Sequence, residues 1–255
     1  MKKILVVGMI FILIGGVFCG AAYAAGEKYA DSKMTNITKT FAVSGIDKIY
    51  IEDYVGSIRI FEGENSSGEI LIVAENVAET WFRCEQSGET LNISYNPTMI
   101  KFGFISLPAF VIEPFWSKNP SISVYIPEGK QFSEVCFGGG VGDTEIERIQ
   151  AKSFVINGGL GNYDIKNMYA ENLEIKGGVG DVKIGGTIAG DIKINGGVGN
   201  IRLNLKGDAD DYNVKSKSGL GNIKVGGKAP SATTHGKYNI IIDGGVGDMD
   251  ININE

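Results

Sequence analysis

The chain has 255 residues, 43% of them hydrophobic, with 37 glycines and only 6 prolines. This composition can build one long domain or two small ones, and it fits neither a collagen-like nor a disordered chain. The formal net charge is −6, and no lysine or arginine cluster follows Lys2 and Lys3, so the electrostatic attraction that drives nucleic-acid binding is missing.

Residues 1–24 have the order of a secretory signal. Two lysines precede an apolar run at 4–18, and a small-x-small sequence follows at 22–24. We therefore expect cleavage at this point and export to the cell envelope or the exterior. An uncleaved anchor is an alternative, because the uncharged run extends to Gly26 and is long enough to span a bilayer. Lipoprotein processing at Cys19 fits less well, because a bulky phenylalanine precedes the cysteine.

Residues 25–40 are predicted to be a linker, and residues 41–135 to form irregular β coils. The segment 48–60 resembles one coil, in which Val55-Gly56-Ser57 stands for the later Val-Gly-Asp turn. Period-two alternation with glycine and acidic turns between the segments predicts further strands at 69–74, 80–84, 90–95 and 121–126. Cys84 and Cys136 remain after signal cleavage. Two cysteines do not make a disulfide framework in a chain of this size, so we expect two core residues, with a single bridge as the alternative.

An apolar insertion at 97–120 interrupts the strand pattern. It contains only three charged residues, and its size and apolarity are unusual for a loop. One interpretation is that it covers an open end or flank of the fold, where a terminal coil exposes apolar side chains. The other is an exposed aromatic surface that contacts a membrane or a partner. Its five aromatic residues, which we call the contact loop, are Phe102, Phe104, Phe110, Phe115 and Trp116.

Residues 136–255 repeat a glycine turn. The sequence GGVGD or a close variant begins at 139, 158, 177, 196, 218 and 244, so the first three spacings are 19 residues. Apolar-polar-apolar triplets on both sides of each turn predict two short strands per repeat. Repetition at this period indicates stacked coils. The sequence therefore predicts an all-β fold, a single-stranded β-solenoid of the β-helix type with coils of about 19 residues, irregular N-terminal coils and the apolar insertion.

Stacking would place equivalent residues of successive coils in columns about 4.8 Å apart. The middle strand positions carry mixed charges and should form a solvated face, whereas the central residue of each turn is aliphatic. We expect that aliphatic column to be internal. It consists of Val141, Leu160, Val179, Val198, Leu220 and Val246.

The polar residue after the last glycine of each turn decides between a ligand site and a structural turn. A phosphate-binding loop needs a lysine and a following helix, whereas a strand follows here. A calcium column would favour adjacent carboxylates, but in chain order no two neighbouring turns both carry one. We therefore predict a structural turn ladder, in which side-chain oxygens bind the turn backbone, with no cofactor and no metal. This turn ladder consists of Asp143, Asn162, Asp181, Asn200, Asn222 and Asp248.

The segment Ile-Ser-Val-Tyr-Ile-Pro-Glu-Gly at 122–129 precedes the Gly-Val-Gly-Asp and Gly-Leu-Gly-Asn coils, behind a signal or anchor segment. This combination resembles a bacterial family of β-strand-repeat envelope proteins of unknown function that are named as proposed adhesins. The resemblance covers roughly residues 40 to 255. It implies a secreted or membrane-associated, non-enzymatic β-solenoid, connected in some members with envelope stress responses, and it brings no catalytic residues to this chain.

Two functions are compatible with these features. The first is an exported, non-catalytic envelope module, adhesin-like, whose solenoid face, contact loop or terminal strand edge at 249–255 binds a surface, polymer or protein. The second is a carbohydrate-active β-helix enzyme, a polysaccharide lyase or hydrolase, using the dense acidic group of Asp208, Asp210 and Asp211. The single histidine, His235, lies in an apparent loop and cannot supply a histidine-rich metal site.

Overall fold

A computed structural model describes residues 34–63, 68–96, 99–102, 105–108, 119–217, 219–227 and 236–254. The signal or anchor segment, His235 and four contact-loop residues, Phe104, Phe110, Phe115 and Trp116, lie outside the described residues, and of Phe102 only the backbone is described. Regular structure in the described part is β, apart from two short 3-10 helices at Val43–Gly45 and Ala209–Asp211. None of its helices is long and apolar enough to cross a membrane.

Twenty strands make up the described fold, and eighteen of them belong to one continuous sheet. The remaining two, β7 and β8, form a separate antiparallel hairpin. In chain order the strands are β1 (Met34–Ala42), β2 (Lys48–Tyr54), β3 (Ser57–Glu62), β4 (Glu69–Ala78), β5 (Phe82–Ser87), β6 (Thr90–Tyr95), β7 (Met99–Phe102), β8 (Ile105–Pro108), β9 (Ser121–Ile126), β10 (Gln131–Val141), β11 (Thr144–Ile146), β12 (Ile149–Leu160), β13 (Tyr163–Lys176), β14 (Val182–Ile188), β15 (Ile192–Asn195), β16 (Ile201–Lys206), β17 (Tyr212–Lys217), β18 (Ile223–Val225), β19 (Tyr238–Asp243) and β20 (Met249–Asn254).

The sheet winds into stacked coils, and two of its faces meet at the glycine turns. The first face runs in the order β1-β4-β9-β3-β11-β13-β14-β16-β20-β18, and the second in the order β5-β6-β2-β10-β12-β13-β15-β19-β17. The long strand β13 bends around a corner and contributes to both faces. The predicted all-β, solenoid-like architecture is therefore present.

Alternation within the strands builds the core. On the first face, Ile146, Ile165 and Ile184 occupy equivalent positions in three successive coils and are almost fully buried. The charged residues between the buried positions, such as Lys183 and Arg202, face outward, as predicted for the solvated face. Because side chains alternate across a strand, each apolar-polar-apolar triplet supplies the core twice and solvent once.

The coils do not stack in chain order at either end of the molecule. At the carboxyl end, β19 and β20 lie between the coil of β15 and β16 and the coil of β17 and β18. At the other end, β2 and β3 lie between β6 and β9 on one side and β10 and β11 on the other. Hence the outermost coils are not the terminal ones in sequence.

This order corrects the expectation that the strand at 249–255 forms an exposed edge. The described part of that segment is in β20, which pairs with β16 on one side and with β18 on the other. The physical reason is the composition of the competing coils. The more apolar coil, with Ile240, Ile242 and Ile251 nearly fully buried, takes the doubly paired position. The lysine-bearing strands β17 and β18 take the edge, where charges discourage further pairing.

The amino-terminal part also departs from the prediction. Residues 34–40, assigned above to a linker, belong to β1, which pairs antiparallel with β4. Ile37 and Phe41 pack against the core, which explains why this segment forms a strand. Antiparallel pairs join β4 to β9 and β5 to β6 as well, so the parallel stacking of the solenoid begins only at β6 and β9.

Cys84 and Cys136 are both buried and both free. They lie on β5 and β10, three strand spacings apart along the second face, which corresponds to about 14 Å. A disulfide needs Cα atoms within about 7 Å, so these two cysteines cannot pair. Burial raises the pKa of the Cys84 thiol to about 12. Both cysteines are core residues, as expected.

Candidate functional site at the glycine turns

The glycine turns form one corner of the solenoid, where each coil passes from the second face to the first. Gly180 has a φ of 141°, and a Cβ at this position would overlap the carbonyl oxygen of Gly161 in the neighbouring coil. Any other residue would therefore meet both a left-handed backbone and a steric clash. The same two constraints recur at Gly142, Gly161, Gly199, Gly221 and Gly247.

The six residues of the turn ladder stack in one column at this corner. Asn200 donates to Oδ1 of Asp181 from its backbone N at 2.8 Å and from Nδ2 at 3.1 Å. The backbone N of Asp248 in turn donates to Oδ1 of Asn200 at 3.1 Å. Each aspartate thus accepts two hydrogen bonds from the next asparagine, and the oxygens of Asn162 and Asn200 each accept one from the next aspartate. Equivalent bonds join the remaining members of the ladder.

The coil order gives this ladder a strict alternation. Partners are 19 residues apart in the first coils, then 48 residues apart from Asn200 to Asp248 and 26 from Asp248 to Asn222. In space the column reads Asp143, Asn162, Asp181, Asn200, Asp248, Asn222. Every carboxylate therefore has amide neighbours, and the side chains hold the turns together by hydrogen bonds.

The aliphatic residues of the turns face outward, so the prediction of an internal column is wrong. Five of them are between 47% and 75% exposed. The buried positions beside each turn belong to the flanking strands, for example Ile175 before Val179 and Val182 after it, and the glycine turn carries the residue between them away from the core. Parallel bridges order this column, which we call the aliphatic ridge, as Val55, Val141, Leu160, Val179, Val198, Val246 and Leu220.

The first coils of the corner rest on a buried hydroxyl cluster. The hydroxyls of Tyr54 and Thr144 lie 2.7 Å apart, and the Tyr54 hydroxyl donates to that of Tyr163 at 3.3 Å. The Tyr54 ring fills the space where a Cβ of Gly140 would lie. Burial raises the pKa of both tyrosines, so both hydroxyls stay neutral. The base of the corner is closely packed and its hydroxyls are hydrogen-bonded.

The apolar insertion leaves the fold at this same corner. The backbone N of Val55 donates to the carbonyl oxygen of Tyr95 at 3.1 Å, and that of Ser57 donates to the carbonyl oxygen of Pro120 at 3.0 Å. The insertion therefore occupies, in the outermost parallel coil, the place that a glycine turn has in the inner coils. Sequence reasoning treated the insertion and the turns as separate features, and the structure joins them in one edge.

Nearly all of this fold corresponds to one known family, whose model matches residues 46–254. The chain belongs to the Toastrack DUF4097 family. This membership confirms the resemblance suggested by the segment at 122–129 and the glycine coils. No curated protein is significantly similar to this Toastrack chain in sequence.

Solved structures are similar to the Toastrack chain over most of its length. A proposed cell adhesion protein from Clostridium sporogenes is 17% identical, with 88% of this chain and 100% of the other covered and a TM-score of 0.41. A proposed adhesin from Bacteroides fragilis is also 17% identical, with 88% and 99% covered and a TM-score of 0.38. A proposed lipid binding protein from Parabacteroides distasonis is 14% identical, with 86% and 96% covered and a TM-score of 0.34.

A cavity of about 380 Å³ opens where the ridge of the Toastrack fold meets the insertion. It combines apolar and charged residues, and no sequence motif pointed to it, because its lining comes from three separate segments of the chain. One of its charged residues, Arg59, lies 3.9 Å from the Glu145 carboxylate. The lining includes Val55, Arg59, Asn119, Pro120 and Asp143.

The acidic coil of the Toastrack fold has the contacts of a solvent-facing turn. The Asp208 carboxylate caps a 3-10 helix by accepting from the backbone N of Asp210 at 2.9 Å. Asp211 forms an ion pair with Lys237 at 3.0 Å. Within the described ranges, no group of three histidine, cysteine or acidic residues is placed to hold a metal ion. The local roles of Asp208 and Asp211 weigh against the carbohydrate-active alternative.

Proposed function

We propose that this Toastrack protein is an exported, non-catalytic component of the cell envelope that binds a surface, polymer or protein partner, as an adhesin does. The observation that carries the proposal is the aliphatic ridge. Five of the seven large apolar side chains that are exposed in the described residues lie in this single column. Contiguous exposed apolar surface is typical of an interaction site, whereas scattered exposed residues are not.

The chemistry of the corner supports binding rather than catalysis. One carboxylate oxygen of each turn-ladder aspartate, and the amide oxygens of Asn162 and Asn200, accept hydrogen bonds from neighbouring turns. The hydroxyls beneath them are buried and neutral. Stacked coils hold the ridge on a backbone that is hydrogen-bonded along its whole length, so binding would cost little ordering entropy. The contact loop, Phe102, Phe104, Phe110, Phe115 and Trp116, belongs to an insertion that leaves the fold at the same edge and would extend the contact with aromatic groups.

Export is tested by fractionating cells that produce the tagged full chain. We expect the protein in the envelope or the medium, with a mature amino terminus at Ala25. Full-length protein in the envelope would indicate the uncleaved anchor instead. Full-length protein confined to the cytosol would contradict the proposal.

Binding is tested with the processed protein and isolated envelopes. The double variant Val179→Asp with Val198→Asp places two charges on the ridge and should abolish most envelope binding. Ile241→Asp is the matched control, because Ile241 is 40% exposed but lies on the second face. Circular dichroism melts verify that all variants are folded. Equal binding by the ridge variant and the control would contradict a role for the ridge.

The contact loop needs its own variant, because it has two interpretations. If Phe115→Ser with Trp116→Ser lowers the melting temperature, the loop covers the fold. If envelope binding is lost at an unchanged melting temperature, the loop contacts the partner.

A further inference from the structure

We propose that the glycine-turn corner is a lipid-binding edge, with the aliphatic ridge lying lengthwise on a bilayer of zwitterionic lipid. The inference rests on the proposed function, since it names the surface that the envelope protein contacts. It joins three features that meet at one edge of the solenoid: the ridge, the inserted hairpin and the strand that follows the amino-terminal apolar segment.

The shape and composition of the ridge fit a lipid surface better than a protein surface. Its five exposed rungs, from Leu160 to Leu220, extend over about 19 Å, whereas Val55 and Val141 at its other end are half-buried, and the column is only one side chain wide. Stable protein interfaces bury about 800 Å² per partner and are centred on tryptophan, tyrosine or arginine anchors. The ridge contains only valine and leucine. The hydrocarbon core of a bilayer has no hydrogen-bonding groups, so it can contact such a column whatever the spacing of its side chains.

The insertion adds a second apolar segment, which leaves the fold at the amino-terminal end of the ridge. In the hairpin of β7 and β8, Ile100 pairs with Leu107 and Phe102 pairs with Ile105. Of the ten residues at 99–108, only Lys101 is charged. A two-stranded hairpin outside the main sheet is marginal in water. An apolar environment for this largely apolar sequence would stabilise it.

The first described strand, β1, lies at the same end of the sheet as the strand that follows the insertion. The uncharged run ends at Gly26, and β1 begins at Met34 as the edge strand of the first face. Only β4 separates β1 from β9, the strand that follows the insertion. One shallow apolar contact binds a membrane weakly, and a second membrane contact makes the attachment stable. The ridge and the hairpin would provide two such contacts on one edge of the fold.

The charge of the corner selects the type of lipid. Asp143, Asp181 and Asp248 run parallel to the ridge, two residues further along each coil. Within the described residues they accept hydrogen bonds from asparagines and form no ion pair. Their negative charge, together with the net charge of −6, would be repelled by anionic headgroups. We therefore expect preference for zwitterionic phosphatidylcholine over phosphatidylglycerol.

Photocrosslinking of the full chain in phosphatidylcholine vesicles tests the inference. A benzophenone amino acid replaces Val198 on the ridge or, as the matched control, Ile241 on the second face. Leu160 provides a second ridge position in case the first substitution disturbs the fold. We expect several-fold more phospholipid adduct from either ridge position than from the control, and less adduct in phosphatidylglycerol vesicles.

The outcomes separate the inference from the proposed function. Equal lipid adduct at Val198 and Ile241, or an adduct between two copies of the chain, overturns the lipid-binding edge. In exporting cells, an adduct of Val198 with an envelope protein or glycan overturns it too, but leaves the proposed binding function standing. Retention of the chain in the cytosol would remove the proposed function itself.

Discussion

Aspartate and asparagine are not equivalent in the turn ladder, although both suit a turn. Asparagine has an Nδ2 donor and an Oδ1 acceptor, whereas an ionised aspartate only accepts. The Asn200 amide can therefore bind the Asp181 carboxylate, and its oxygen can accept from the backbone N of Asp248. A second aspartate at the central position would remove the donor and add a charge. This explains the alternation along the stack.

Asn200→Asp should consequently destabilise the protein by about 3 kcal/mol at pH 7. Two carboxylates 4.8 Å apart repel by about 0.9 kcal/mol in water, the new one would have two such neighbours, and a hydrogen bond is lost. The repulsion raises the folded-state pKa of the new carboxyl above its unfolded value. The repulsive penalty is therefore absent below the unfolded pKa and develops as the pH rises through the folded pKa.

Urea unfolding at pH 7 and about pH 3 measures this effect. Asn204→Asp is the matched control, because Asn204 is an exposed asparagine that is hydrogen-bonded to Asn252 in the next coil and has no aspartate beside it in its column. If both variants lose the same free energy of unfolding at pH 7, the electrostatic explanation is refuted.

Glycine is required at some turn positions for two reasons and at others for one. Gly180→Ala meets both the φ of 141° and the carbonyl of Gly161, so the free energy of unfolding should fall by about 3 kcal/mol or more. Gly177→Ala meets only the φ of 51°, with open space around the new Cβ, and should cost about 1 kcal/mol. Thermal and urea unfolding of both variants give the comparison. If the two variants lose similar free energies of unfolding, the requirement for glycine at 180 does not come from the close stacking of the turns.

At the scale of the strands, local pattern predicted much of the fold. The strands expected at 90–95 and 121–126 have those bounds in β6 and β9. Alternation could not predict the outward direction of Val179, because the period of two is broken by the glycines on either side. It also could not predict which coil lies outermost, because the turns of Leu220 and Val246 have interchangeable patterns. Which coil lies outermost depends on how much apolar surface each coil buries in the whole fold.

The edge strands β17 and β18 are protected from further pairing by lysines. Lys215→Ile with Lys224→Val should convert this edge into a template for association, since its backbone groups have no strand on their outer side in the described fold. Lys193→Ile with Lys183→Val is the matched control, because these lysines occupy the same two columns on strands that are paired on both sides. Light scattering and size-exclusion chromatography should show aggregation only for the first variant. If both variants aggregate, the added exposed apolar area explains the association, and the unpaired strand edge does not.

At the scale of the whole molecule, the coil order makes a geometric prediction. Arg202 pairs directly with Asp250, whereas Lys224 lies one strand further out. The double variant Arg202→Cys with Asp250→Cys should therefore form a disulfide on oxidation. Arg202→Cys with Lys224→Cys should not, because two strand spacings, about 9.6 Å, exceed the reach of the bond.

Peptide mass analysis under non-reducing conditions distinguishes these cases, with the native Cys84 and Cys136 buried and out of reach of each other. A bond in the second double variant and none in the first would establish stacking in chain order.

The interleaved coils at the carboxyl end have a consequence for synthesis. β17 and β18 leave the ribosome before β19 and β20, and at that moment β15 and β16 offer them an open edge with matching columns, Leu220 opposite Val198 and Asn222 opposite Asn200. The native arrangement requires the last strands to occupy that place instead. Assembly of this half of the molecule therefore cannot proceed in chain order, and it is completed only after β19 and β20 have been synthesised.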